Sequence, residues 1–186
     1  MKNRIFISLN LTDKVIEKMI SLRDTVCKDE KLKWEPKERL HLTIKFIGDV
    51  SDEVMDKISN ELFFITKYLQ INCSINRFDF FYRDRKPSIL CAGLTVDNSL
   101  NKMISEIDKS LNKFSIPIEN RIFNPHITLL RIKKQLENNF VHNFKNFTFE
   151  PILFNATSVT LYKSILHQEG SEYIKIKNYK LKELEK

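Results

Sequence analysis

A short pattern that occurs twice constrains this chain more than any other feature. His41 and Thr43 lie within LHLTIKFIG, and His126 and Thr128 lie within NPHITLLRI. Both stretches have the apolar, β-favouring character of strands, and in a strand each His shares one face with the Thr two positions later. Nearly half of the 186-residue chain separates the two copies. The sequence therefore predicts two similar lobes that each contribute one motif to a shared pocket.

Hydrophobic periodicity predicts alternating strands and helices along the chain. Strands are expected at residues 4–9, 40–47, 69–81, 88–96, 125–132, 148–161 and 172–179. Helices are expected over about residues 12–27, 52–67, 99–111 and 134–144. Thr12, Ser51 and Ser99 stand where helix N-caps are needed. Gly48 is expected to end the second strand, and Gly170 is expected to supply the turn between the last two.

Alternating strands and helices also fit a parallel, doubly wound sheet. However, the chain has only three glycines, and none belongs to a glycine-rich loop that cradles phosphate. We therefore predict an α+β fold with two pseudo-symmetric lobes, whose antiparallel sheets are flanked by helices and cup a central active-site groove. Because no long linker appears, residues 1–186 are expected to form a single bilobal domain.

Composition narrows the cellular setting and the class of partner. The formal net charge of +7 favours an anionic partner such as RNA, although lysine-rich surfaces also serve solubility alone. Cys27, Cys73 and Cys91 are odd in number and widely spaced, which argues against a disulfide framework and a zinc site. The N-terminus does not have the pattern of a signal peptide, and no apolar run is long enough to span a membrane. We expect a cytoplasmic protein with no membrane partner.

Two imidazoles and two hydroxyls form a suitable set for acid/base phosphoryl chemistry. Cleaving a phosphodiester without a metal ion needs a base for the attacking oxygen and an acid for the departing oxygen. Histidine suits both roles because its pKa of about 6.5 lets both protonation states exist near neutral pH. Thr43 and Thr128 would donate hydrogen bonds to the non-bridging oxygens. No metal or other cofactor is predicted, since two histidines fall short of the usual three zinc ligands.

Two cations near the motifs are further candidates for substrate binding. Lys45 has the same strand parity as His41 and Thr43, so it is predicted to add positive charge to the groove. Arg131 has the opposite parity from His126, so it reaches the site only through a bulge or at the end of the strand.

Plainer interpretations of the same residues remain open. A lone His-x-Thr is more often a hydrogen-bonded structural histidine than a catalytic one, and only its recurrence in a chain with four histidines favours catalysis. His142 and His167 lack such a setting and are expected at the surface. A non-catalytic basic module that binds RNA in a salt-dependent manner is the alternative from another functional class.

The residues around the motifs resemble a known family. RIFISLN at the start, Trp34 and Pro36 ahead of LHLTIKFIGDV, FNPHITLLRIKK, and the closing LYKSILHQEGSEYIKI are similar to the two-histidine phosphoesterase superfamily. Within it, they look most like the bacterial and archaeal RNA 2′,3′-cyclic phosphodiesterases, historically called 2′-5′ RNA ligases. The resemblance covers essentially the full length. It implies two α+β lobes around a groove and metal-independent hydrolysis of RNA or nucleoside 2′,3′-cyclic phosphate ends to 2′-phosphomonoesters.

The resemblance also implies roles for individual residues. His126 is expected to activate water, and His41 to protonate the 3′ leaving oxygen. Thr43 and Thr128 become the phosphate binders, and Arg131 becomes a substrate contact.

Lys45 stands where this family often has Arg, which keeps the charge but loses bidentate phosphate geometry. The expected partners are RNA with 2′,3′-cyclic phosphate ends or cyclic nucleotides, bound by a monomer. Ligation of 2′-5′ RNA, or action on another cyclic phosphate, remains the alternative within the superfamily.

Overall fold

The computed structural model describes residues 2–133, 136–137, 139–168 and 170–183. The strands are β1 (Lys2–Leu9), β2 (Leu42–Ser51), β3 (Ile71–Arg83), β4 (Lys86–Val96), β5 (His126–Arg131), β6 (Ile152–Ala156), β7 (Ser158–His167) and β8 (Gly170–Lys180). The α-helices are α1 (Asp13–Val26), α2 (Asp52–Glu61), α3 (Asn98–Asn112) and α4 (Phe140–Asn146). Short 3-10 helices cover Lys37–Arg39 and Leu62–Lys67.

All eight strands belong to one sheet in the order β6-β3-β4-β5-β2-β1-β7-β8, and neighbouring strands run antiparallel. In the described part of the chain, β2 and β5 share a single paired position, Leu42 with Ile127. This narrow seam divides the sheet into lobe 1 (β2, β1, β7, β8) and lobe 2 (β5, β4, β3, β6). The predicted α+β class with antiparallel lobes is confirmed.

The two lobes repeat one arrangement about the seam. In lobe 1 the chain runs β1-α1-β2, and in lobe 2 it runs β4-α3-β5, so each motif strand pairs with the strand that precedes it. Counting outward from the seam, β1 corresponds to β4, β7 to β3 and β8 to β6. Each motif therefore lies on the strand of its lobe that borders the seam, at the centre of the whole sheet.

Residues 148–161 were predicted as one strand, and this prediction is wrong. The structure has two strands, β6 and β7, which lie in different lobes. The chain crosses between the lobes at Thr157, whose carbonyl accepts a hydrogen bond from the Leu181 amide at 2.9 Å. Asn155, Thr157 and Ser158 interrupt the apolar residues at the crossover, but isolated polar residues of this kind also occur within strands, so the prediction joined the two strands.

Local capping explains where the helices begin. The Thr12 hydroxyl accepts from the Val15 amide, and the Ser51 hydroxyl accepts from the Val54 amide, as predicted. The third helix is capped by Asp97, two residues before the predicted Ser99.

Other element boundaries also differ from expectation. β2 continues past Gly48 to Ser51, with Gly48 at a φ of 90°. α2 ends at Glu61, and a 3-10 helix covers the rest of the predicted span. Of the helix predicted at 134–144, residues 134, 135 and 138 lie outside the described residues, and α4 covers Phe140–Asn146.

None of the helices in the described ranges is long and apolar enough to cross a membrane.

An aromatic cluster forms much of the core of lobe 2. The Phe144 ring is fully buried, and its centroid lies 4.9 Å from that of Phe140 and 5.3 Å from that of Phe78. Trp34 packs against the same group at 6.2 Å, with the Arg23 guanidinium 4.6 Å above its ring. The only tryptophan of the chain is therefore a packing residue.

We predict that Phe144→Ala lowers the free energy of unfolding by about 3–5 kcal/mol, because it removes a buried ring and leaves a cavity. Urea denaturation followed by circular dichroism measures this loss. Phe63→Ala is the matched control, since Phe63 is 61% exposed and its removal should change stability by less than about 0.5 kcal/mol. Equal losses in the two variants would contradict the description of the core.

Candidate active site

The two motifs meet at the seam between the lobes. Because Leu42 pairs with Ile127 in antiparallel register, His41 lies beside Thr128 and Thr43 lies beside His126. Leu42 and Ile127 are buried, and alternation directs their neighbours to the opposite face, which we call the groove face. The structure therefore brings the two predicted histidines and the two predicted threonines together on one face.

The same backbone contact orients both imidazoles. His41 Nδ1 lies 2.7 Å from the Arg39 carbonyl oxygen, and His126 Nδ1 lies 2.8 Å from the Asn124 carbonyl oxygen. A carbonyl oxygen can only accept, so Nδ1 carries the hydrogen and donates it in each case. With respect to the residues that the structure describes, this leaves the Nε2 of each ring available to take up or release a proton.

Aromatic side chains surround each histidine. The Phe81 ring meets His126 edge-on at 4.6 Å, while His41 packs against Phe6 at 5.1 Å and against the edge of Tyr173 at 5.2 Å. These rings restrict how far either imidazole can turn away from its carbonyl partner.

The aromatic surroundings also change the acidity of His41. Burial, with smaller contributions from the positive charges of Arg131 and His126, lowers the pKa of His41 from 6.5 to about 4. The Arg39 carbonyl, which accepts the Nδ1 hydrogen, opposes this shift. In the free protein at pH 7, His41 is therefore neutral.

A β-bulge turns Lys45 away from the groove. Two consecutive residues of β1 pair with Thr43 and Lys45, so Ile44 is an extra residue in β2 and the alternation of faces changes there. Lys45 is consequently buried, with its Nζ 2.6 Å from Asp108 Oδ1 and 2.8 Å from the Pro117 carbonyl oxygen. The prediction that Lys45 adds charge to the groove is wrong, because it assumed uninterrupted alternation.

An equivalent bulge in β5 has the opposite consequence for Arg131. Two consecutive residues of β4 pair with Thr128 and Leu130, so Leu129 is the extra residue. Leu129 and Leu130 are both buried, and Arg131 returns to the groove face. Its Nε lies 3.3 Å from Glu35 Oε1.

Sequence reasoning missed Glu35. Its backbone amide donates to the Leu129 carbonyl at 2.8 Å, which attaches the segment before the first motif to β5. Its carboxylate lies between Arg131 and the Arg39 guanidinium, which is 3.9 Å away. Glu35 stands in a polar stretch next to Pro36, where nothing in the sequence distinguishes it from the surrounding charges.

Sequence reasoning also missed Phe46 and Arg77. Phe46 follows His41 at the spacing by which Arg131 follows His126, and it is 58% exposed against Phe6. Arg77 lies across Gly93, the residue paired with His126, so closely that a Cβ on Gly93 would be 2.8 Å from the Arg77 Cζ. Lobe 1 thus presents an aromatic ring at this position, whereas lobe 2 adds the guanidinium groups of Arg131 and Arg77.

A cavity of about 690 Å³ adjoins His41. It lies between the start of α1, the turn before the first motif, and strands β7 and β8. Its lining includes Asn10, Lys37, His41, Ser158, Tyr162, Tyr173, Lys175 and Asn178. The carboxylates of Asp13 and Glu38 also line it, so amide, hydroxyl, ammonium, carboxylate and aromatic groups face one space beside a histidine of the pair.

Within the described residues, no group of three His, Cys, Asp or Glu side chains is arranged to hold a metal ion.

Comparison with known families identifies this arrangement. A family model described as LigT like phosphoesterase matches residues 9–91 and 94–173, which include both motifs. The protein is a phosphoesterase by class. It belongs to the LigT-like phosphoesterase family, which confirms the resemblance found in the sequence.

Curated relatives align over nearly the whole chain. A Methanocaldococcus jannaschii protein named RNA 2′,3′-cyclic phosphodiesterase is 27% identical over 181 residues, which cover 95% of this chain and 99% of the relative. A Thermotoga maritima protein of the same name is 23% identical over 172 residues, which cover 91% of each.

Solved structures have the same fold. A Thermus thermophilus protein matches with a TM-score of 0.77 at 19% identity, over 95% of this chain and 97% of that chain. Escherichia coli LigT complexed with 3′-AMP matches with a TM-score of 0.75 at 22% identity, over 97% and 99%.

We predict that acid weakens the fold through His41. The unfolded chain binds a proton at this residue near pH 6.5, whereas the folded chain does so only near pH 4. The contribution of the neutral His41 ring to the free energy of unfolding is therefore fully present above about pH 6.5. It is lost as the pH falls from about 6.5 to about 4. This contribution is at most about 3 kcal/mol.

Urea titrations from pH 7 to pH 4 measure this effect. His41→Gln should flatten the pH dependence of the free energy of unfolding relative to wild type, and His142→Gln, which changes a surface histidine, should not. Identical slopes for wild type and His41→Gln would contradict the burial of an uncharged ring.

Proposed function

We propose that the protein hydrolyses RNA or nucleoside 2′,3′-cyclic phosphate ends to 2′-phosphomonoesters without a metal ion. One observation carries the proposal: His41 and His126 flank the same seam on the groove face, each with Nδ1 held by a carbonyl two residues earlier. Their two Nε2 atoms supply a base and an acid to one phosphorus atom. The names of the Methanocaldococcus and Thermotoga relatives support this substrate class.

The chemistry needs one neutral and one protonated imidazole. A water oxygen attacks phosphorus in line with the bond to the 3′ oxygen while the neutral Nε2 accepts the water proton. The bond from phosphorus to the 3′ oxygen breaks, and the protonated Nε2 gives its proton to that oxygen. The products are a 2′-phosphomonoester and a free 3′ hydroxyl. Proton exchange with solvent then restores the starting state of both histidines.

Groups around the seam stabilise the charge that develops on the phosphoryl oxygens. The hydroxyls of Thr43 and Thr128 lie beside the opposite histidine, where they donate to the non-bridging oxygens. Arg131 faces the same groove and offers a guanidinium fork for two of those oxygens. Glu35 holds that fork in position.

The cavity beside His41 favours this residue as the acid. Its tyrosines suit stacking on a base, and the amides of Asn10 and Asn178 suit the polar edges of a base. A nucleoside in this cavity carries its 3′ oxygen next to His41, so water approaches from the side of His126. This assignment requires the bound phosphate anion to raise the pKa of His41, since an acid must hold its proton at the working pH.

We predict that His41→Ala and His126→Ala each lower the turnover of a 2′,3′-cyclic mononucleotide by about 10²–10⁴-fold, because each removes a proton-transfer group. The assay contains EDTA and identifies the product by chromatography. His142→Ala and His167→Ala are the matched controls and should keep wild-type turnover. Full activity in either motif variant, with circular dichroism unchanged, would exclude the mechanism.

The acid and the base are separable with a substrate whose 3′ bridging oxygen is replaced by sulfur. A thiolate leaves without a proton, so His41→Ala should recover most of its lost rate on this substrate, whereas His126→Ala should stay impaired. Recovery in His126→Ala alone would reverse the two roles. Phosphorus NMR of the products measures both rates.

Assays with RNA and cyclic mononucleotide substrates also distinguish the two alternative functions, RNA binding without catalysis and 2′-5′ ligation. A non-catalytic RNA-binding module predicts salt-dependent binding and no turnover in wild type. Ligation predicts 2′-5′ linked products when ends with a free 5′ hydroxyl are supplied.

We propose that residues 1–186 act as one bilobal domain and as a monomer, because a single chain supplies both motifs. The three free cysteines support a cytoplasmic setting. Burial also raises the pKa of Cys73 and of Cys91 to about 12, which leaves those thiols unreactive.

A further inference from the structure

Lys45 is a buried cation that connects the two lobes. It lies on β2 of lobe 1, and its Nζ is 2.6 Å from the carboxylate of Asp108 and 2.8 Å from the carbonyl oxygen of Pro117. Asp108 belongs to α3, the helix between the lobe 2 strands β4 and β5, and Pro117 lies in the loop that leads from α3 to β5. Both charged side chains are only 7% exposed.

The loop that Lys45 contacts ends at the second motif. Its Asn124 carbonyl accepts the Nδ1 hydrogen of His126, and its Pro125 carbonyl accepts from the Leu94 amide at 3.1 Å. The start of this loop is therefore attached to the first motif strand, and its end orients the second histidine. In the described residues, backbone pairing between β2 and β5 is limited to Leu42 and Ile127, and the Glu35 amide adds one backbone contact to Leu129, so side-chain links also contribute to how the motifs face each other.

Other side-chain contacts join α3 and the residue after it to α2 and to the segment that leads from α2 to β3, and these contacts are weaker. Glu106 accepts a hydrogen bond from Tyr68, and Glu61 accepts one from Ser110 and pairs with Lys113. These contacts are exposed or only partly buried, where water and salt reduce the strength of a charge interaction. The Lys45 pair is well shielded from both.

Stability alone does not require a lysine at this position. Leu130 occupies the equivalent position of β5, directly after the second bulge, so the fold accommodates an apolar residue there. Burying two charges costs about as much as their attraction returns, and well-packed apolar replacements are often neutral or stabilising. What an ion pair adds is a fixed geometry between the two elements that carry it.

We propose that Lys45 and Asp108 form a positioning pair, which holds the α3–β5 loop against β2 and thereby keeps Nε2 of His126 aligned with Nε2 of His41. The inference rests on the proposed two-histidine function. Lys45 touches no substrate and acts through the loop. Misplacing a catalytic group by about 1 Å costs about 10²-fold in rate, so a small shift of this loop is measurable.

The test compares a double variant with single variants. Lys45→Met alone leaves Asp108 charged and unpaired in the core, which destabilises the protein. Lys45→Met/Asp108→Leu removes both charges, so we expect it to fold with a melting temperature near that of wild type. We expect its kcat for a 2′,3′-cyclic mononucleotide to fall by about 10-fold or more while its KM stays nearly unchanged, because orientation and not binding is lost.

Two further readouts separate positioning from a structural role. In ¹⁵N spectra of labelled histidine, the double variant should lose the Nδ1–H tautomer of His126 while His41 keeps its own. Lys45→Arg should retain kcat, since a guanidinium keeps the charge and the donors. Lys57→Met is the matched control, because it removes an exposed lysine from an ion pair with Glu53 and should change neither readout.

A folded double variant with wild-type kcat and an unchanged His126 signal would overturn the inference. If the double variant does not fold, Lys45→Met/Asp108→Asn provides the same comparison, because it removes both charges and keeps the shape of the Asp108 side chain, and wild-type kcat in that variant would also overturn the inference. Failure of the proposed function is distinguishable, because it would appear as full activity in His41→Ala or His126→Ala.

Discussion

The active-site groove depends on how little of the backbone joins β2 to β5. A sheet fully paired at its centre would place the motif residues on a continuous surface, whereas one paired position, Leu42 with Ile127, lets the two lobes diverge from a common line. Antiparallel pairing at that position also brings each histidine beside the threonine of the other motif. One contact thus defines both the groove and the crossed arrangement of its four central side chains.

The bulge that follows each motif determines what else reaches the groove. After Thr43 and after Thr128 one extra residue reverses the alternation, so the second residue beyond each bulge faces the substrate side. In lobe 1 that residue is Phe46, and in lobe 2 it is Arg131. Equivalent backbones therefore present an aromatic ring on one side and a guanidinium on the other, which suits an asymmetric substrate with a base and a phosphate.

The residue directly after each bulge, Lys45 in lobe 1 and Leu130 in lobe 2, bears on how the two lobes hold their motifs in a fixed relative position. In lobe 2 this position is an apolar core residue, Leu130, but in lobe 1 it is Lys45, whose charge is satisfied by the helix and loop that precede the second motif. A single site built from two lobes needs a link of defined length between them. A buried ion pair supplies it because its energy depends steeply on distance when water is excluded.

The sequence by itself determined the class of fold, most of the elements, the family and the paired motif, because these follow from local periodicity and from residue types at short spacing. Strand alternation alone places His41 on the same face as Thr43, and His126 on the same face as Thr128. Only the tertiary structure decided the positions of Lys45, Arg131 and Glu35 and the break at Thr157. Each of these depends on a bulge or on contact with a distant strand. The hydrophobic periodicity of a single sequence predicts neither bulges nor such contacts.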